Sequence, residues 1–375
     1  MPEMLVWAGF VLGVLVVAGT AFSIIGALIV ARRVDSWVTA VVDTALDHAF
    51  LVALRGVDSF ERRDWFLGWQ GPLTLVVRLT IWMGMLVLGF ALIMLPGTDG
   101  DFAAALEDAG SSIFTLGFAV PHGGGGQLAA YVAGFAGMAV IGLQIGYLPT
   151  VYSSFNRRET EVSLLVARAG TPAWGPEILL RTHWGTGSSD SAPVLEDLFV
   201  RWERWTAEVA ESHTTYTGLL RLRSPKRNSH WLTSLIAVMD AAALHLALAP
   251  GTEPKIAARL MLRMGFETLN DLARAMKLSV PDLAQVSVAT TPISVTFDEF
   301  AQAAATLRSV GYPVTETDED AWPNFAGWRV NYDRAALSLS RMLDAPPSMW
   351  TGPRRWPSQP TAPFRPNPGR TRNRE

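Results

Sequence analysis

Residues 101–121 read DFAAALEDAGSSIFTLGFAVP, and the placement of this stretch decides the fold. It is too apolar for an ordinary polar loop, because Phe102, Ala103 to Leu106, Ile113, Phe114, Leu116 and Phe118 crowd into it. Asp101 to Phe114 suits a short helix, with Asp99 or Asp101 as its cap and acidic groups near its positive end. Thr115, Leu116, Gly117, Phe118 and Ala119 follow, and Pro121 with Gly123 to Gly126 returns the chain to the surface. No Lys or Arg falls between Gly97 and Gly126, whereas Asp99, Asp101, Glu107 and Asp108 do.

Long apolar runs flank this segment. Met4 to Ala31 is free of charge, and 28 residues of helix exceed the roughly 30 Å of a bilayer's hydrocarbon core. Glu3 precedes that run and Arg32 and Arg33 close it, which is the reverse of a secretory signal. A second candidate span covers Pro72 to Leu95, with Arg78 able to snorkel its head to the nearer interface, and a third covers Gln127 to about Tyr152. Arg32, Arg33, Arg55, Arg62, Arg63, Arg157 and Arg158 lie on one side of these spans and the acidic connection on the other. The positive-inside rule then predicts a multi-pass protein of the cell membrane with an external N-terminus and a cytoplasmic C-terminal half.

The composition agrees. The chain has 375 residues, of which 49% are hydrophobic and only 17% charged, with a mean hydropathy of +0.22. A soluble protein carries about 25% charged residues. There is no cysteine, which excludes disulfides, thiol catalysis and thiolate metal sites.

Span, short helix, a Thr115-Leu116-Gly117-Phe118 turn, then a second span: this order, over roughly Pro72 to Arg158, resembles the pore module of potassium-channel-like proteins. The resemblance implies a filter in which Thr115 supplies the innermost ring, Leu116 and Gly117 the next carbonyls, and Phe118 an aromatic packed behind, replacing a cation's hydration shell. It also implies a monovalent cation, potassium, as the permeant ion, and a homotetramer, because one pore loop cannot surround an axis alone. The family's second glycine and aspartate are Ala119 and Val120 here, so the outer filter needs another backbone path. Asp99, Asp101, Glu107 and Asp108 read either as a negative outer mouth or as helix-start capping and solvation. Gly134, Gly137, Gly142 and Gly146 of the third span read as packing positions or a hinge, and Gly9 and Gly13 as a packing face on the first span. Gln144 would line the cavity or hydrogen-bond a neighbour.

The connection after the first span carries Val34, Trp37, Val38, Val41, Val42, Ala45, Leu46, Ala49, Phe50 and Leu54 at helical spacing opposite Asp35, Asp43 and Asp47. That pattern predicts an amphipathic helix, packed on another helix or lying on the bilayer. Beyond Asn156 the composition is that of a soluble domain. Helices are predicted over Arg158 to Ala169, Pro193 to Ser212, Ser229 to Leu248, Glu253 to Lys277, Asp298 to Val310 and Asn331 to Leu343, and strand-type alternation only over Val286 to Thr296.

The segment running through Ser212, Tyr216, Arg223, Ser224, Pro225, His230, Trp231, Asp240 and His245 to Arg263, Met264, Gly265 and Phe266 resembles the cytoplasmic region of bacterial membrane proteins grouped loosely with ion channels. Asp240 and His245 fall on different helix faces, about 140° apart, so each reads as a buried polar group with its own partner. Arg221, Arg223, Lys226, Arg227 and His230 form the best basic cluster, either a solvated loop or a phosphate site. Trp184, Trp202, Trp205 and Trp231 read as core anchors or ligand stackers. No P-loop, zinc-helix motif or serine elbow occurs, so no cofactor, metal or catalytic group is expected, and nothing points to nucleic acid.

The expectation is therefore an all-α membrane protein: a first transmembrane helix (1–33), a cytoplasmic amphipathic segment (34–71), a pore module (72–155), an α-helical cytoplasmic domain (156–345) and a disordered basic tail (346–375). Cation conduction is the function the resemblance implies. A non-conducting scaffold or sensor that keeps the pore fold for oligomerisation is the alternative that Ala119 and Val120 raise.

Overall fold

A computed structural model describes residues 3–30, 36–121, 123–183, 188–226, 228–280 and 291–351. Arg32, Arg33, Val34, Asp35, Trp184, Arg227, residues 286–290 of the Val286 to Thr296 stretch and the tail beyond 351 lie outside the described residues. Every regular element among the described residues is helical. In order these are α1 (Glu3–Leu28), α2 (Trp37–Ala53), α3 (Phe60–Gly68), α4 (Gln70–Met94), α5 (Phe102–Ile113), α6 (Gly123–Ala169), α7 (Gly175–His183), α8 (Ser188–Thr215), α9 (Trp231–Leu248), α10 (Lys255–Ala275), α11 (Phe297–Ser309), α12 (Asp318–Arg329) and α13 (Asp333–Met342). The chain divides into two compact units, one of Met1–Asp58 with Trp65–Ser153 and one of Ser59–Asp64 with Ser154–Glu375.

In the first unit, glycine sets the approach of α1 to α4. A Cβ on Gly13 would stand 2.6 Å from the Gly89 carbonyl oxygen, and one on Gly89 would stand 2.7 Å from Val17. With no side chain between them the two backbones pack directly, as small residues allow between apolar helices. Gly9 meets Leu92 and Leu95 of the same neighbourhood. Ser23 of α1 accepts hydrogen bonds from the Ser36 hydroxyl (2.6 Å) and the Trp82 indole (3.0 Å), which satisfies three buried polar groups where α1, α2 and α4 meet.

The amphipathic helix forms as α2, and it docks on protein. Val38 and Val42 are buried. Its acidic edge is spent on α4: Asp43 pairs with Arg78, and Asp47 accepts from the Gln70 amide at 2.8 Å. Arg78, whose long stem allows snorkelling, places its guanidinium on Asp43. Neutralising it against Asp43 costs less than leaving either charge alone on an apolar helix.

Among the described residues, four helical segments are long and apolar enough to cross a membrane: Glu3–Leu28, Phe60–Thr98, Gly123–Ala169 and Trp231–Leu248. The last is α9, and all its residues are buried by the helices of the second unit. It is the core of that unit. The other three are covered within the chain over only 28%, 44% and 22% of their most apolar windows.

Around α9 pack α7, α8, α10, α12 and α13, with Trp202, Trp231, Phe300, Phe325 and Tyr332 among the largest enclosed side chains. The predicted helices appear as the end of α6 and as α8, α9, α10, α11 and α13; α3, α7 and α12 were not anticipated. α3 and α7 are short, and α12 carries Pro323 inside and three acidic residues in its first turn, so each lacks a long apolar stripe. Residues 291–296 hold no strand. The ordered fold also runs past Ala345, contrary to a tail starting at 346. Trp350 packs against Trp174 and Phe325, its carbonyl accepts from Arg329 at 2.8 Å, and Ser348 donates to the Ala173 carbonyl at 3.2 Å. One buried indole outweighs the proline content of its surroundings.

Candidate pore-loop site

The segment singled out by the sequence is built from α4, α5 and the first half of α6. A single 3-10 turn, Leu95–Thr98, follows α4, and Asp99 (φ 53°) and Gly100 (φ 81°) in left-handed geometry reverse the chain. Asp101 caps α5, accepting from the Ala103 amide at 2.9 Å and the Ala104 amide at 3.4 Å. Helix α5 buries Ala105, Ala109, Ser111 and Ile113. Small residues on this face let the short helix lie close along α4.

The C-terminal end of α5 rests on α6 at two glycines. A Cβ on Gly134 would meet the Ser112 carbonyl oxygen at 3.3 Å, and one on Gly137 would meet that of Ile113 at 2.2 Å. Gly142 and Gly146, four apart where Gly134 and Gly137 are three apart, pack on nothing here: a Cβ on either meets no atom within 4 Å. Of the four expected packing or hinge positions, two pack within this chain and two do not. Helix α6 runs unbroken past all four and through Pro149, and it starts at Gly123 rather than at Gln127, so the glycine run is helical. Gln144 is buried, and its side-chain oxygen has no hydrogen-bond partner among the described residues.

Between the two helices the backbone makes a hydrogen-bonded turn. The Thr115 amide donates to the Ser112 carbonyl at 3.1 Å and the Leu116 amide to the Ser111 carbonyl at 2.9 Å. Ser111 then ties the far side, its hydroxyl accepting from the Ala119 amide and donating to the Ala119 carbonyl, both at 3.1 Å. Thr115 (φ 55°) and Gly117 (φ 72°) take the left-handed conformation, and Ala119 does not. A β-branched residue there costs roughly 1–2 kcal/mol, which the turn's hydrogen bonds offset. The segment Thr115 to Ala119 thus closes back on Ser111, two residues, about 3 Å, before the end of α5 at Ile113. Thr115, Leu116, Gly117, Phe118 and Ala119, the residues expected to form a filter, make this hydrogen-bonded turn in the single chain. Leu116, Phe118 and Val120 project from it, each more than 60% exposed.

The four acids separate. Asp101 is the helix cap; Asp99 and Glu107 are exposed; Asp108 is partly exposed, and its carbonyl accepts from Ser112 at 2.7 Å. Asp99 and Asp101 sit at the start of α5, and Glu107 lies about 9 Å further along its axis.

In the second unit the polar candidates have structural partners. Asp240 accepts from Tyr332 at 2.7 Å and pairs with Arg329, and Arg329 donates to Asp333 at 2.8 Å. Burial alone would depress the Arg329 guanidinium, but Asp240 and Asp333 reverse this and raise its pKa. His245 faces elsewhere, with Nδ1 2.7 Å from the Tyr312 hydroxyl, and burial lowers its pKa to about 4. Asp240 and His245 share no site. Of the basic cluster, Arg223 is enclosed, pairing with Asp64 at 3.1 Å and donating to the Asp344 carbonyl, while His230 is buried as the cap of α9. Arg223 and His230 are thus built into the unit, Lys226 is exposed, and Arg227 lies outside the described residues. Trp202, Trp205 and Trp231 are core anchors.

Sequence reasoning missed the enclosed arginine of α6. Arg158 donates to the carbonyls of Leu219 (2.8 Å) and Leu222 (2.6 Å) and to Glu159 (2.9 Å), and its guanidinium lies over the Phe155 and Trp231 rings. Nη1 is 3.1 Å from Nε2 of His213, whose pKa burial and then Arg158 push well below the ordinary value, so the imidazole is neutral and accepts. A charged residue following Tyr152 and Asn156 reads as a cytoplasmic flank, and only its carbonyl partners, some 60 residues away in sequence, distinguish it as a structural joint.

Comparison with protein-family models, with curated proteins and with solved structures finds no match to this chain.

Proposed function

We propose that the chain is a cation channel of the cell membrane, conducting potassium through a homotetrameric pore. In this reading α1, α4 and the first half of α6 cross the bilayer, α5 and its turn re-enter from outside, and the second unit is cytoplasmic. The observation that carries it is the folding back of α5 between α4 and α6, ending on Gly134 and Gly137 and followed by the Thr115 to Ala119 turn. Unpaired backbone in a bilayer is tolerated only where protein or water covers it, so such a turn calls for neighbouring copies around an aqueous axis. The negative end of α5 points at that turn and favours a cation there. Helix α9, though apolar, stays in the cytoplasmic unit in this reading, because that unit covers it completely.

The test is flux in reconstituted vesicles. Gly117 has φ 72° with nothing within 4 Å of a Cβ, so Gly117→Val strains the turn without blocking insertion. Potassium flux in the parent and its loss in the variant is the expected result; equal flux in both removes the turn from the conduction path.

The Ser111 tie to Ala119 favours one other reading, a non-conducting scaffold or sensor that uses the same hairpin to oligomerise. Absence of any monovalent-cation flux from tetrameric protein would select it.

A further inference from the structure

Helix α2 spends its acidic residues on α4, and this frees its opposite side. Trp37, Val41, Thr44, His48, Leu51 and Val52 are all exposed, and at 100° per residue they fall within about 100° of arc; Arg55 is exposed in the turn that follows the helix. Trp37 and Leu51 are each 63% exposed and Val41 58%. Val38 and Val42 occupy the side that faces the unit. The free stripe is mostly apolar, interrupted by Thr44 and His48, with an indole at its start and the Arg55 guanidinium just past the helix end at Ala53. Asp43 and Asp47, which would repel phosphate if they shared this face, are held by Arg78 and Gln70 instead.

The bond from Gln70 to Asp47 brings the foot of α4 beside the second half of α2, and three more aromatics stand there. Trp65, Phe66 and Trp69 are exposed, and Trp65 meets the other two edge to face, with ring centres 5.0 and 6.4 Å away. Tryptophan with an apolar body and a polar N–H collects at the boundary between hydrocarbon and water, and so does an amphipathic helix with a basic end.

We propose that the free face of α2, with Trp65, Phe66 and Trp69, is a lipid-docking surface that lies in the phospholipid headgroup layer, Arg55 taking a lipid phosphate. The occupant is lipid because Asp43 and Asp47 fasten the other side of α2 to α4, an apolar helix that the reading above places across the bilayer, and the proposal rests on that reading. Trp37, Val41, Leu51 and Val52 would dip into the acyl boundary, while His48 and Arg55 reach out to water and phosphate.

The chain has no cysteine, so single spin labels can be placed cleanly. Val41→Cys, His48→Cys and Leu51→Cys in the full chain, reconstituted in phosphatidylcholine vesicles, are compared with Asp58→Cys, at an exposed polar position, and with Phe135→Cys, on the apolar face of α6. Relaxation by lipid-soluble oxygen and by a water-soluble nickel chelate is read at each. The expected result is oxygen access several-fold above nickel access at Val41 and Leu51, an intermediate ratio at His48, and the reverse at Asp58. Nickel access at all three α2 labels overturns the proposal by placing the face in water. Low access to both reagents overturns it by placing a second copy or another protein there. If the label at position 135 is also open to nickel, the membrane reading itself has failed; if that label favours oxygen, only the docking surface has.

Discussion

Gly137→Ala is the sharpest perturbation available, because the obstacle is main chain. The new methyl would lie 2.2 Å from the Ile113 carbonyl oxygen and 3.0 Å from its carbon, where ordinary contact begins near 3.4 Å. The end of α5 must withdraw by about 1 Å, or α6 must bend, and overpacking of this kind costs about 1–3 kcal/mol. Expressed as an equilibrium, that raises the fraction of molecules with α5 undocked by about 5-fold to 150-fold. Ala109 is fully buried on α5, so a cysteine placed there reports undocking as its rate of alkylation in detergent or nanodiscs. Gly142→Ala, in the same helix with nothing within 4 Å, is the control, and its rate should equal that of the parent. Should Gly137→Ala alkylate no faster than Gly142→Ala, α5 does not rest on α6 as described, and the reasoning that joins the hairpin to the inner helix fails.

Gly13→Ala should lower thermal stability in detergent by loosening α1 from α4, since its methyl would fall 2.6 Å from the Gly89 carbonyl; an unchanged melting temperature would count against that packing. Arg329→Met leaves Asp240 and Asp333 buried without their cation and should destabilise the second unit by about 3–5 kcal/mol, read as a fall in denaturation midpoint with the Trp350 environment changing in step. His213, His230 and His245 are all held below their ordinary pKa by burial. The unfolded chain therefore binds protons that the folded one refuses, and stability is lost as pH falls from about 6.5, at about 1.4 kcal/mol per pH unit for each histidine until its folded pKa is reached. For His245, whose folded pKa is about 4, the loss amounts to about 3 kcal/mol, and His245→Gln should flatten the stability profile between pH 6.5 and 4 by one proton's slope.

The apolar helices were legible because charge-free runs longer than a bilayer are rare, and α5 was legible because an apolar stretch preceded by aspartate caps has few other uses. The docking of α2 was half legible: periodicity gave the helix, but whether Asp43 and Asp47 faced lipid or a neighbour depended on Arg78 and Gln70, which lie some 20 to 35 residues on. Residue type does not tell Gly134 and Gly137 from Gly142 and Gly146, and spacing misleads, since the second pair has the four-residue interval of a small-residue packing motif and yet packs on nothing. What separates them is the presence of Ser112 and Ile113 opposite, a fact of tertiary packing. The path from Thr115 to Ala119 was hidden for a similar reason, since the turn closes through the Ser111 hydroxyl and a serine within a helix carries no signal that it will bind backbone eight residues later. Arg158 and Arg329 read as surface charges because arginine usually is one; their enclosure follows from carbonyl and carboxylate partners between 1 and about 90 residues distant.

The central claim is that the turn at the end of α5 borders an ion path, and a single cysteine at Leu116 tests it directly. A positively charged thiol reagent applied from outside while potassium flux is recorded should cut the flux of the Leu116→Cys protein and leave the cysteine-free parent untouched. Complete modification with undiminished flux would contradict the account.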